Sequence, residues 1–405
     1  MARRNTAARA RGSGGTILAP RLLRAAEHGG VLSVPMRLWL AFLAAAVACL
    51  PAWAQPTGPL RSDRATIRVT VLASGLEHPW GLAVLPDGRM LVTERPGRVR
   101  LVSREGRLSA PLPGAPTVFA RGQGGLHDVL LHRDFARTGL VYFCHAAEGA
   151  GGASTAISRG RLTEAGIEGL ERVFTAGPLF VGTFHFGCRM VWDRDGFLHL
   201  SLGDRMRPDQ SQDLGAHNGK TLRLTEDGRP APGNPFAGRP GAAPEVWTLG
   251  HRNIQAMTLH PESGRIWVVD HGPRGGDEVN LLESGANYGW PSATHGINYD
   301  GSTITPYRSL PGMVDPLWVW LPVSIAPSGA TFYLGDAFPG WRGDLLIGGL
   351  RERALVRLRF ANGRPVSEER IPLGERIRDV RVGPGGSVLL LTDSPRGAIW
   401  RLDPA

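Results

Sequence analysis

One histidine of this 405-residue chain stands where its surroundings could support chemistry. His185 lies between Phe184 and Phe186 in the stretch GTFHFGCR, residues 182–189. A histidine there is either a buried structural residue or a general base, because partial desolvation by aromatic rings keeps an imidazole neutral at neutral pH. No second histidine lies nearby at ligand spacing, which disfavours a metal site. The pattern therefore favours a proton acceptor.

A second group of residues could hold an anion. Arg252 and Asn253 occur in GHRNIQ, Arg376 and Arg378 in ERIRD, and Gln123 in RGQGG. Arginine offers a planar, bidentate donor that suits carboxylates. Buried cations without an anion are costly, so several arginines in one place predict a ligand with several carboxylates. The alternative for any single residue of the group is a hydrogen bond that only supports the fold.

Composition and charge narrow the class of protein. A hydrophobic content of 42% allows a large core, and 55 Gly with 32 Pro indicate many tight turns rather than long helices. The net charge of +10 arises mostly in the first 54 residues, since the remainder carries 39 basic against 35 acidic side chains. No basic run interleaved with aromatic residues follows, so nucleic acid is not expected as a partner.

The first 54 residues have the pattern of a leader. From residue 36 the chain reads MRLWLAFLAAAVACLPAWAQ, a basic start, an apolar stretch of about a dozen residues and an A-x-A cleavage motif. We expect a signal peptide at 36–54 within the removed leader 1–54, and a mature domain 55–405 that begins at Gln55 in the periplasm. A lipoprotein signal ending at Cys49 is the alternative.

The apolar stretch of the leader is too short to span a bilayer, and no later run reaches 18 apolar residues, so no membrane span is expected. After removal of the leader only Cys144 and Cys188 remain. Two cysteines permit at most one disulfide and exclude a cysteine-rich zinc site. The sequence leaves open whether they pair.

A repeated hairpin must position the candidate residues. A short strand, a turn with glycine and a second short strand recur at 81–94, 126–143, 189–204, 256–270, 331–349 and 379–393. The turn glycines are Gly88, Gly139, Gly196, Gly264, Gly343 and Gly386. Their spacing of roughly 40 to 80 residues is typical of propeller blades, each normally of four strands, and not of a β-sandwich. We therefore predict one all-β domain, a six-bladed β-propeller.

The phase of these hairpins predicts where the polar residues lie. If each hairpin is the inner pair of a blade, the start of its first strand and the end of its second lie at the same end of the propeller. Gln123, His185, Arg252, Asn253, Arg376 and Arg378 precede first strands or stand at their start. Asp204, Arg205 and the segment 270–278 follow second strands. All of them should converge on one mouth of the channel.

Several ordered motifs of the sequence resemble those of a known family. The motifs are GLEHPWGLAVLPDGRMLVTERPGRVRLV, RGQGGLHDV, HFGCRMVWDRDG, LGDR, LGHRNIQ, DHGPRGGDEVNLLESGANYGWP, SIAPSGATFY and RIRDV. They are similar, in order, to those of the soluble pyrroloquinoline quinone (PQQ)-dependent sugar dehydrogenases, over about residues 68–403. The aldose sugar dehydrogenase branch is the closer match, rather than the strict glucose-type branch.

The resemblance implies an activity and roles for residues. It implies oxidation of aldose sugars at the anomeric carbon to lactones, with His185 as the base, hydride transfer to the quinone and an external electron acceptor. The protein would act as a monomer or homodimer. Cofactor-binding positions are Gln123, Arg252, Asn253, Arg351, Arg376 and Arg378. By the same resemblance an active-site Ca²⁺ is held by the backbone carbonyls of Gly272 and Pro273, and a second, structural Ca²⁺ by Glu278 and Tyr288.

Two positions depart from the glucose-type branch. Arg351 stands where that branch has a cofactor-facing lysine, which keeps the charge but changes the donor geometry. Phe184 stands in place of an acidic residue, so contacts with the sugar should differ and selectivity should be looser.

Two other classes of function stay open at this stage. A metal-dependent lactonase-type propeller would need carboxylate or Asn ligands at the channel, for which Asp204, Asn253 and Asp277 are available. The arginines would repel such a cation. A non-catalytic binding propeller is the other class. Separately from both, Asp277 and Glu278 could be an ordinary turn or blade contact instead of belonging to a Ca²⁺ site.

Overall fold

The structure, a computed structural model, describes residues 58–405. The predicted leader 1–54 and the predicted mature N-terminus at Gln55 lie outside the described residues. The described chain contains 24 strands and one short α-helix, α1 (Phe135–Thr138). None of its helices is long and apolar enough to cross a bilayer.

The strands, in chain order, are β1 (Leu60–Ser62), β2 (Ala65–Leu76), β3 (Pro79–Val84), β4 (Met90–Glu94), β5 (Arg98–Val102), β6 (Leu126–Leu131), β7 (Leu140–Gly149), β8 (Gly152–Thr163), β9 (Gly166–Thr175), β10 (Met190–Trp192), β11 (Leu198–Ser201), β12 (Thr221–Leu224), β13 (Val246–Thr248), β14 (Ile254–Leu259), β15 (Ile266–Asp270), β16 (Asp277–Leu281), β17 (Trp318–Trp320), β18 (Pro327–Phe332), β19 (Leu345–Gly349), β20 (Ala354–Ala361), β21 (Arg364–Pro372), β22 (Ile377–Val382), β23 (Val388–Thr392) and β24 (Gly397–Pro404).

These strands form six antiparallel sheets around one axis, which confirms the six-bladed β-propeller. Blades 1 to 5 are β3–β5, β6–β9, β10–β13, β14–β17 and β18–β21, and blade 6 combines β22–β24 with β2 and β1. The first strand of each blade packs against the first strand of the next, and β22 packs against β3 to complete the ring.

The six predicted hairpins are the first two strands of the six blades. All six turn glycines have positive φ, between 63° at Gly139 and 87° at Gly343, a region that residues with a Cβ rarely adopt. Local turn chemistry therefore determines the blade spacing, and the same end of every hairpin faces the channel mouth.

Two ends of the chain meet in blade 6. β2 pairs antiparallel with β24, with Val69 opposite Leu402 and Val71 opposite Trp400. This pairing supplies the fourth strand of the last blade from the start of the described chain, so that one blade holds both ends of the described chain. Because the partners lie more than 300 residues apart, hairpin repeats alone did not predict it.

Blade 1 has three strands, so the expectation of four strands in every blade was wrong at this position. Where a fourth strand would run, the chain reads SAPLPGAP and contains three prolines. Proline has no backbone donor and cannot join a hydrogen-bonded ladder. Only Ser109 and Leu112 donate to the edge of β5, at 2.8 Å each, so this segment follows the sheet without forming a regular strand.

An ion network closes the axis beneath the mouth. Arg189 donates to Asp128 at 2.9 Å and pairs with Asp379 at 3.0 Å, and all three side chains are buried. Arg381 approaches both carboxylates, at 3.5 and 3.2 Å. Two arginines balance two aspartates, so this network ties blades 2, 3 and 6 together without requiring a ligand.

Cys144 and Cys188 form a disulfide, with their Cα atoms 5.7 Å apart. Cys144 lies in β7 of blade 2 and Cys188 lies just before β10 of blade 3, and both are fully buried. The question that the sequence left open is thereby answered, and the bond joins two neighbouring blades.

Candidate functional site

A cavity of about 280 Å³ lies at the mouth of the channel. Six of the residues predicted to converge line it: Gln123, His185, Arg252, Asn253, Arg376 and Arg378. They come from the starts of first strands in blades 2, 3, 4 and 6, as the hairpin phase predicted. His271, from the predicted segment 270–278, also lines it. The sequence reasoning missed the other lining residues: Trp80, Arg95, Gln255, Tyr299, Ala326, Leu350 and Asp393.

His185 is held in one orientation by a carboxylate. Its Nδ1 lies 2.7 Å from Oδ1 of Asp204, which also accepts the backbone N–H of Met206. The other oxygen of Asp204 accepts the indole N–H of Trp290 at 2.9 Å. A carboxylate partner requires the proton on Nδ1, so Nε2 carries the free lone pair. No described residue donates to or accepts from Nε2.

Burial lowers the pKa of His185, although the hydrogen bond that the ring donates to Asp204 acts in the opposite direction, and the positive charge of Arg252 lowers the pKa further. The lowered pKa and its main cause, desolvation, agree with the prediction of a neutral ring, but the two flanking phenylalanines differ in their surroundings. Phe184 is half exposed, and Phe186 packs against Phe119 beneath the guanidinium of Arg205. Depth in the channel and a neighbouring arginine keep the ring neutral.

Two residues assigned to the cofactor also hold the backbone around the histidine. Oε1 of Gln123 accepts the backbone N–H of His185 at 2.9 Å. Oδ1 of Asn253 accepts the backbone N–H of Gly187 at 3.1 Å. Both side-chain oxygens are thus committed to the chain, and only the amide N–H groups remain for a ligand.

Two arginines of the cavity, Arg376 and Arg378, share one resident anion, Asp393, which the sequence reasoning missed. Arg378 donates to Asp393 at 2.8 Å and Arg376 pairs with the same oxygen at 3.3 Å. Although burial alone would raise the pKa of Asp393, Arg378 and a hydrogen bond from His78 hold it well below its usual range. Asp393 directly follows β23, so the rule that selected Asp204 would have selected it too.

The cavity nevertheless keeps an excess of positive charge. Arg95, Arg252, Arg376 and Arg378 line it, and among the described lining residues Asp393 is the one carboxylate. Among the described residues, the guanidinium of Arg252 donates only to the carbonyls of His271 and Gly272. Nε of Arg378 is buried without a partner in the described chain. Unused donors and uncompensated cations indicate an anionic ligand.

Trp80 forms one wall of the cavity. Its ring lies between the guanidinium groups of Arg189, 4.2 Å from the ring centroid, and Arg378, 5.6 Å away. The axial ion network therefore supports this wall from below. Trp80 lies near the start of β3, the first strand of its blade, so its position matches that of the predicted residues. It was not predicted because the sequence analysis looked for side chains that bind anions.

Arg351 lies in a neighbouring cavity of about 660 Å³, which shares His271, Tyr299 and Ala326 with the first. Its guanidinium donates to the carbonyl of Ser324 at 3.1 Å. Leu350, and not Arg351, faces the inner cavity beside Arg376. The structure thus separates Arg351 from the other predicted cofactor residues.

Two of the four predicted Ca²⁺ ligands, Gly272 and Glu278, line one small space, which Arg252 also lines, whereas Pro273 and Tyr288 do not line it. Glu278 lines it with Asp270, Gly272 and Trp290. Burial raises the pKa of Glu278 to about 8, with the nearby charges of Asp270 and Asp277 acting in the same direction. A buried carboxyl beside another carboxylate and without a basic partner suits a cation.

Backbone carbonyls would have to complete such a site, because the described residues contain no group of three or more His, Cys, Asp or Glu side chains placed to hold a metal. No described residue donates a hydrogen bond to the carbonyl of Pro273 or of Tyr288. The carbonyl of Gly272 accepts one bond, from Arg252 at 2.8 Å. Oδ1 of Asn280, beside Glu278, is buried and unpaired within the described chain.

The residues that a lactonase would need do not converge. Asp204 is committed to His185 and Trp290, and Asn253 to Gly187. Asp277 instead accepts the backbone N–H groups of Gly272, Ile325 and Ala326. Asp277 therefore holds the loops of blades 4 and 5 together. This is the structural role that the sequence offered as the alternative to a metal ligand.

Comparison with known proteins agrees with the geometry. The family model for glucose / sorbosone dehydrogenase matches residues 76–401. The chain is 41% identical over 361 residues to the aldose sugar dehydrogenase YliI of Escherichia coli, covering 87% of this chain and 95% of that protein. The crystal structure of the soluble aldose sugar dehydrogenase from Escherichia coli in the apo form has a TM-score of 0.81 and 40% identity, covering 84% of this chain and 100% of that chain. The PQQ-bound aldose sugar dehydrogenase from Streptomyces coelicolor has a TM-score of 0.68 and 28% identity, covering 86% and 100%.

Proposed function

The chain belongs to the glucose/sorbosone dehydrogenase family, and from this premise we propose that it is a PQQ-dependent aldose sugar dehydrogenase that oxidises the anomeric carbon to a lactone. One observation carries the proposal. A neutral histidine with a free Nε2 lines the same cavity as four arginines that have one carboxylate among them. This combination offers a base for a hydroxyl proton beside a site for an anionic cofactor.

The arginines would hold the carboxylates of PQQ. The guanidinium groups of Arg252 and Arg376 keep N–H groups that donate to no described residue. Nε of Arg378 is buried and has no partner among the described residues. The amide N–H groups of Gln123 and Asn253 remain available for the quinone oxygens. When bound, PQQ supplies a two-electron acceptor for a hydride.

His185 would take the proton of the anomeric hydroxyl on Nε2 while the hydride leaves the same carbon. The C1–H and O–H bonds break, the C1=O bond of the lactone forms, and the two electrons leave with the hydride. Asp204 keeps Nδ1 protonated before the step and stabilises the imidazolium after it. The electrons then pass to an external acceptor, and the proton on Nε2 returns to solvent.

Calcium is the second part of the proposal. We propose one Ca²⁺ at the carbonyls of Gly272 and Pro273, and another at Glu278 with the carbonyl of Tyr288. Carbonyl oxygens without donors at Pro273 and Tyr288, and a buried carboxyl without a basic hydrogen-bond partner at Glu278, support these positions. A cation at Gly272 must share that carbonyl with Arg252, so its affinity should depend on the position of that arginine.

The larger adjoining cavity suits entry of the sugar. It opens beside Tyr299 and His271, which also line the inner cavity, and Arg351 stands on its far wall. Arg351 would then contact the sugar rather than the cofactor.

An absorbance titration of the apo-protein with PQQ, with and without Ca²⁺, followed by addition of aldoses, tests the proposal. We expect saturable PQQ binding and a sugar-dependent spectral change, with lactone as the product. Binding of PQQ without reduction by any aldose would identify a non-catalytic propeller, and absence of PQQ binding would overturn the cofactor assignment.

A further inference from the structure

The disulfide ends the segment that carries His185. Cys188 follows the histidine by three residues, and its sulfur is bonded to Cys144 in the middle of β7. The backbone N–H of Cys188 also donates to the carbonyl of Ser201 in β11 at 2.8 Å. This residue is therefore anchored to blade 2 by a covalent bond and to blade 3 by a hydrogen bond.

The segment has an unusual backbone. φ is 52° at His185, 66° at Gly187 and 80° at Cys188, so three of four consecutive residues are left-handed. Glycine adopts this region freely, but His185 and Cys188 carry a Cβ that makes it unfavourable. The conformation must be imposed by contacts with the rest of the protein.

The other contacts that impose it are hydrogen bonds. Gln123 accepts the N–H of His185, Asn253 accepts the N–H of Gly187, and Thr155 donates to the carbonyl of Phe186 at 2.6 Å. Each of these can break and re-form on its own. Among the described residues the disulfide is the one covalent tie on the segment.

Segment 185–188 packs against the loop that carries Asp204, the hydrogen-bond partner of His185. A Cβ on Gly203 would lie 2.2 Å from the carbonyl oxygen of His185, and a Cβ on Gly187 would lie 2.6 Å from the nitrogen of Gly203. Asp204 follows Gly203 directly. Because the two backbones touch without intervening side chains, a displacement of the segment moves the ring relative to the carboxylate.

From these contacts we infer that the Cys144–Cys188 disulfide is a positioning element for the base. It holds the left-handed segment 185–188 so that Nδ1 of His185 stays on Asp204 while Nε2 faces the cavity. The inference rests on the proposed function for its effect on turnover, but its effect on the histidine ring does not. Neither cysteine lines the cavity, so neither contacts cofactor or sugar.

The test compares Cys144→Ala/Cys188→Ala with a core variant of similar stability. Val356→Ala, fully buried in β20 of blade 5, is the matched control because it lies outside the histidine segment and the cavity lining. Both are assayed well below their melting temperatures with saturating PQQ. We expect kcat of the double variant to fall roughly 10- to 100-fold, the usual consequence of a misplacement near 1 Å, with PQQ affinity unchanged. The control should keep wild-type turnover.

A second measurement needs no catalysis. ¹⁵N-histidine NMR of the apo-protein, with His185 assigned by its loss in His185→Gln, should show the Nδ1–H tautomer in the wild type and a mixture in the double variant. Wild-type tautomer and turnover in the double variant would overturn the inference. A disulfide-dependent tautomer in a protein that oxidises no aldose would support the inference and remove the proposed function instead.

If the double variant does not fold, the folded, oxidised wild-type protein is reduced with a phosphine. Turnover and the histidine signal are then followed against the number of free thiols. We expect both to change in proportion to the thiols released, and an unchanged tautomer in the fully reduced, folded protein would overturn the inference.

Discussion

At the scale of single residues the site depends on His185 as an oriented neutral base. Replacing His185 by Ala should lower kcat by roughly 10² to 10⁴, the usual share of positioned proton transfer, while PQQ still binds. Steady-state kinetics on PQQ-saturated protein, paired with a melting curve, measures this. His260→Ala, at the opposite end of the β14–β15 hairpin, is the control and should leave turnover unchanged. Near wild-type turnover in folded His185→Ala would remove the catalytic assignment.

Asp204 should act through the tautomer of His185. An Asn at this position must direct its N–H₂ either at the indole N–H of Trp290 or at His185, because the two aspartate oxygens each accept one of these donors. The second choice moves the ring proton to Nε2 and removes the base. We expect Asp204→Asn to lower kcat by roughly 10² to 10⁴.

The pH profile separates this role from a structural one. The pKa of His185 is already lowered, so kcat/KM of the wild type should fall only as pH drops through a value below about 6.5. Loss of the Asp204 charge removes an effect that raises this pKa, so the acid limb of Asp204→Asn should move to lower pH. An unmoved acid limb with reduced stability would indicate a structural role.

The two exposed arginines of the site should have different effects. Arg376→Ala removes donors to a cofactor carboxylate and should weaken PQQ binding by roughly 1.5 to 3 kcal/mol, with little change in melting temperature. Arg351→Ala should raise KM for the sugar and leave PQQ affinity unchanged, because Arg351 lines only the outer cavity. Equal loss of PQQ affinity in both variants would contradict this separation. Isothermal titration with PQQ and sugar-dependent kinetics measure the two quantities.

At the scale of elements, β16 places a carboxylate where a cation is needed. Ca²⁺ should raise the melting temperature of the apo-protein, since it would bind the ionised form of Glu278 beside Asp270 and displace the proton that burial favours on this carboxyl. Glu278→Gln should remove the Ca²⁺-dependent part of this increase. Mg²⁺ is the control, because its octahedral geometry suits a site of carbonyls less well. An equal increase in the Gln variant would place the stabilising ion elsewhere.

Hairpins and loops supply different residues of the site. The hairpins repeat with one phase and deliver their starts to one mouth, while the loops after second strands deliver the acidic partners Asp204 and Asp393. The arginines lie in strand β22 or within two residues of a strand end, and a left-handed segment between β9 and β10 holds the base. The base depends on contacts from three blades, and the arginines of blade 6 also reach beyond their own blade, since Arg376 donates to the carbonyl of Leu350 and Arg378 to Gln255.

For the whole molecule, buried neutral histidines should make stability depend on pH. Burial lowers the pKa of His127 to about 3 and of His145 to about 4. The unfolded state then binds more protons below about pH 6.5, so stability falls as the pH drops from there. His145→Gln should reduce the slope of unfolding free energy against pH by about 1.4 kcal/mol per unit between pH 6 and 5.

Chemical denaturation of wild type and His145→Gln at pH 7, 6 and 5 measures this difference. The difference between the two proteins isolates His145 from the other titrating groups. If the unfolding free energies of the two proteins change equally with pH, protonation of His145 does not contribute to the pH dependence of stability.

Much of the architecture was determined by local sequence. Gly88, Gly196 and the other turn glycines take positive φ for reasons internal to four residues, so six hairpins and their common phase could be read without tertiary information. The antiparallel geometry of a hairpin then placed Gln123, His185, Arg252 and Arg378 at one mouth. Local rules were sufficient here because each step involves neighbours in sequence.

Tertiary structure alone decided what those residues do together. The pairing of His185 with Asp204 depends on a close backbone approach at Gly203, and the pairing of Cys144 with Cys188 on the packing of blade 2 against blade 3. The closure of the ring by β2 and β24 joins segments more than 300 residues apart. Such contacts are selected by the free energy of packing the whole chain and leave no periodic signal in sequence. The sequence by itself therefore determined which side chains reach the mouth, and only the folded ring decided which of them are partners.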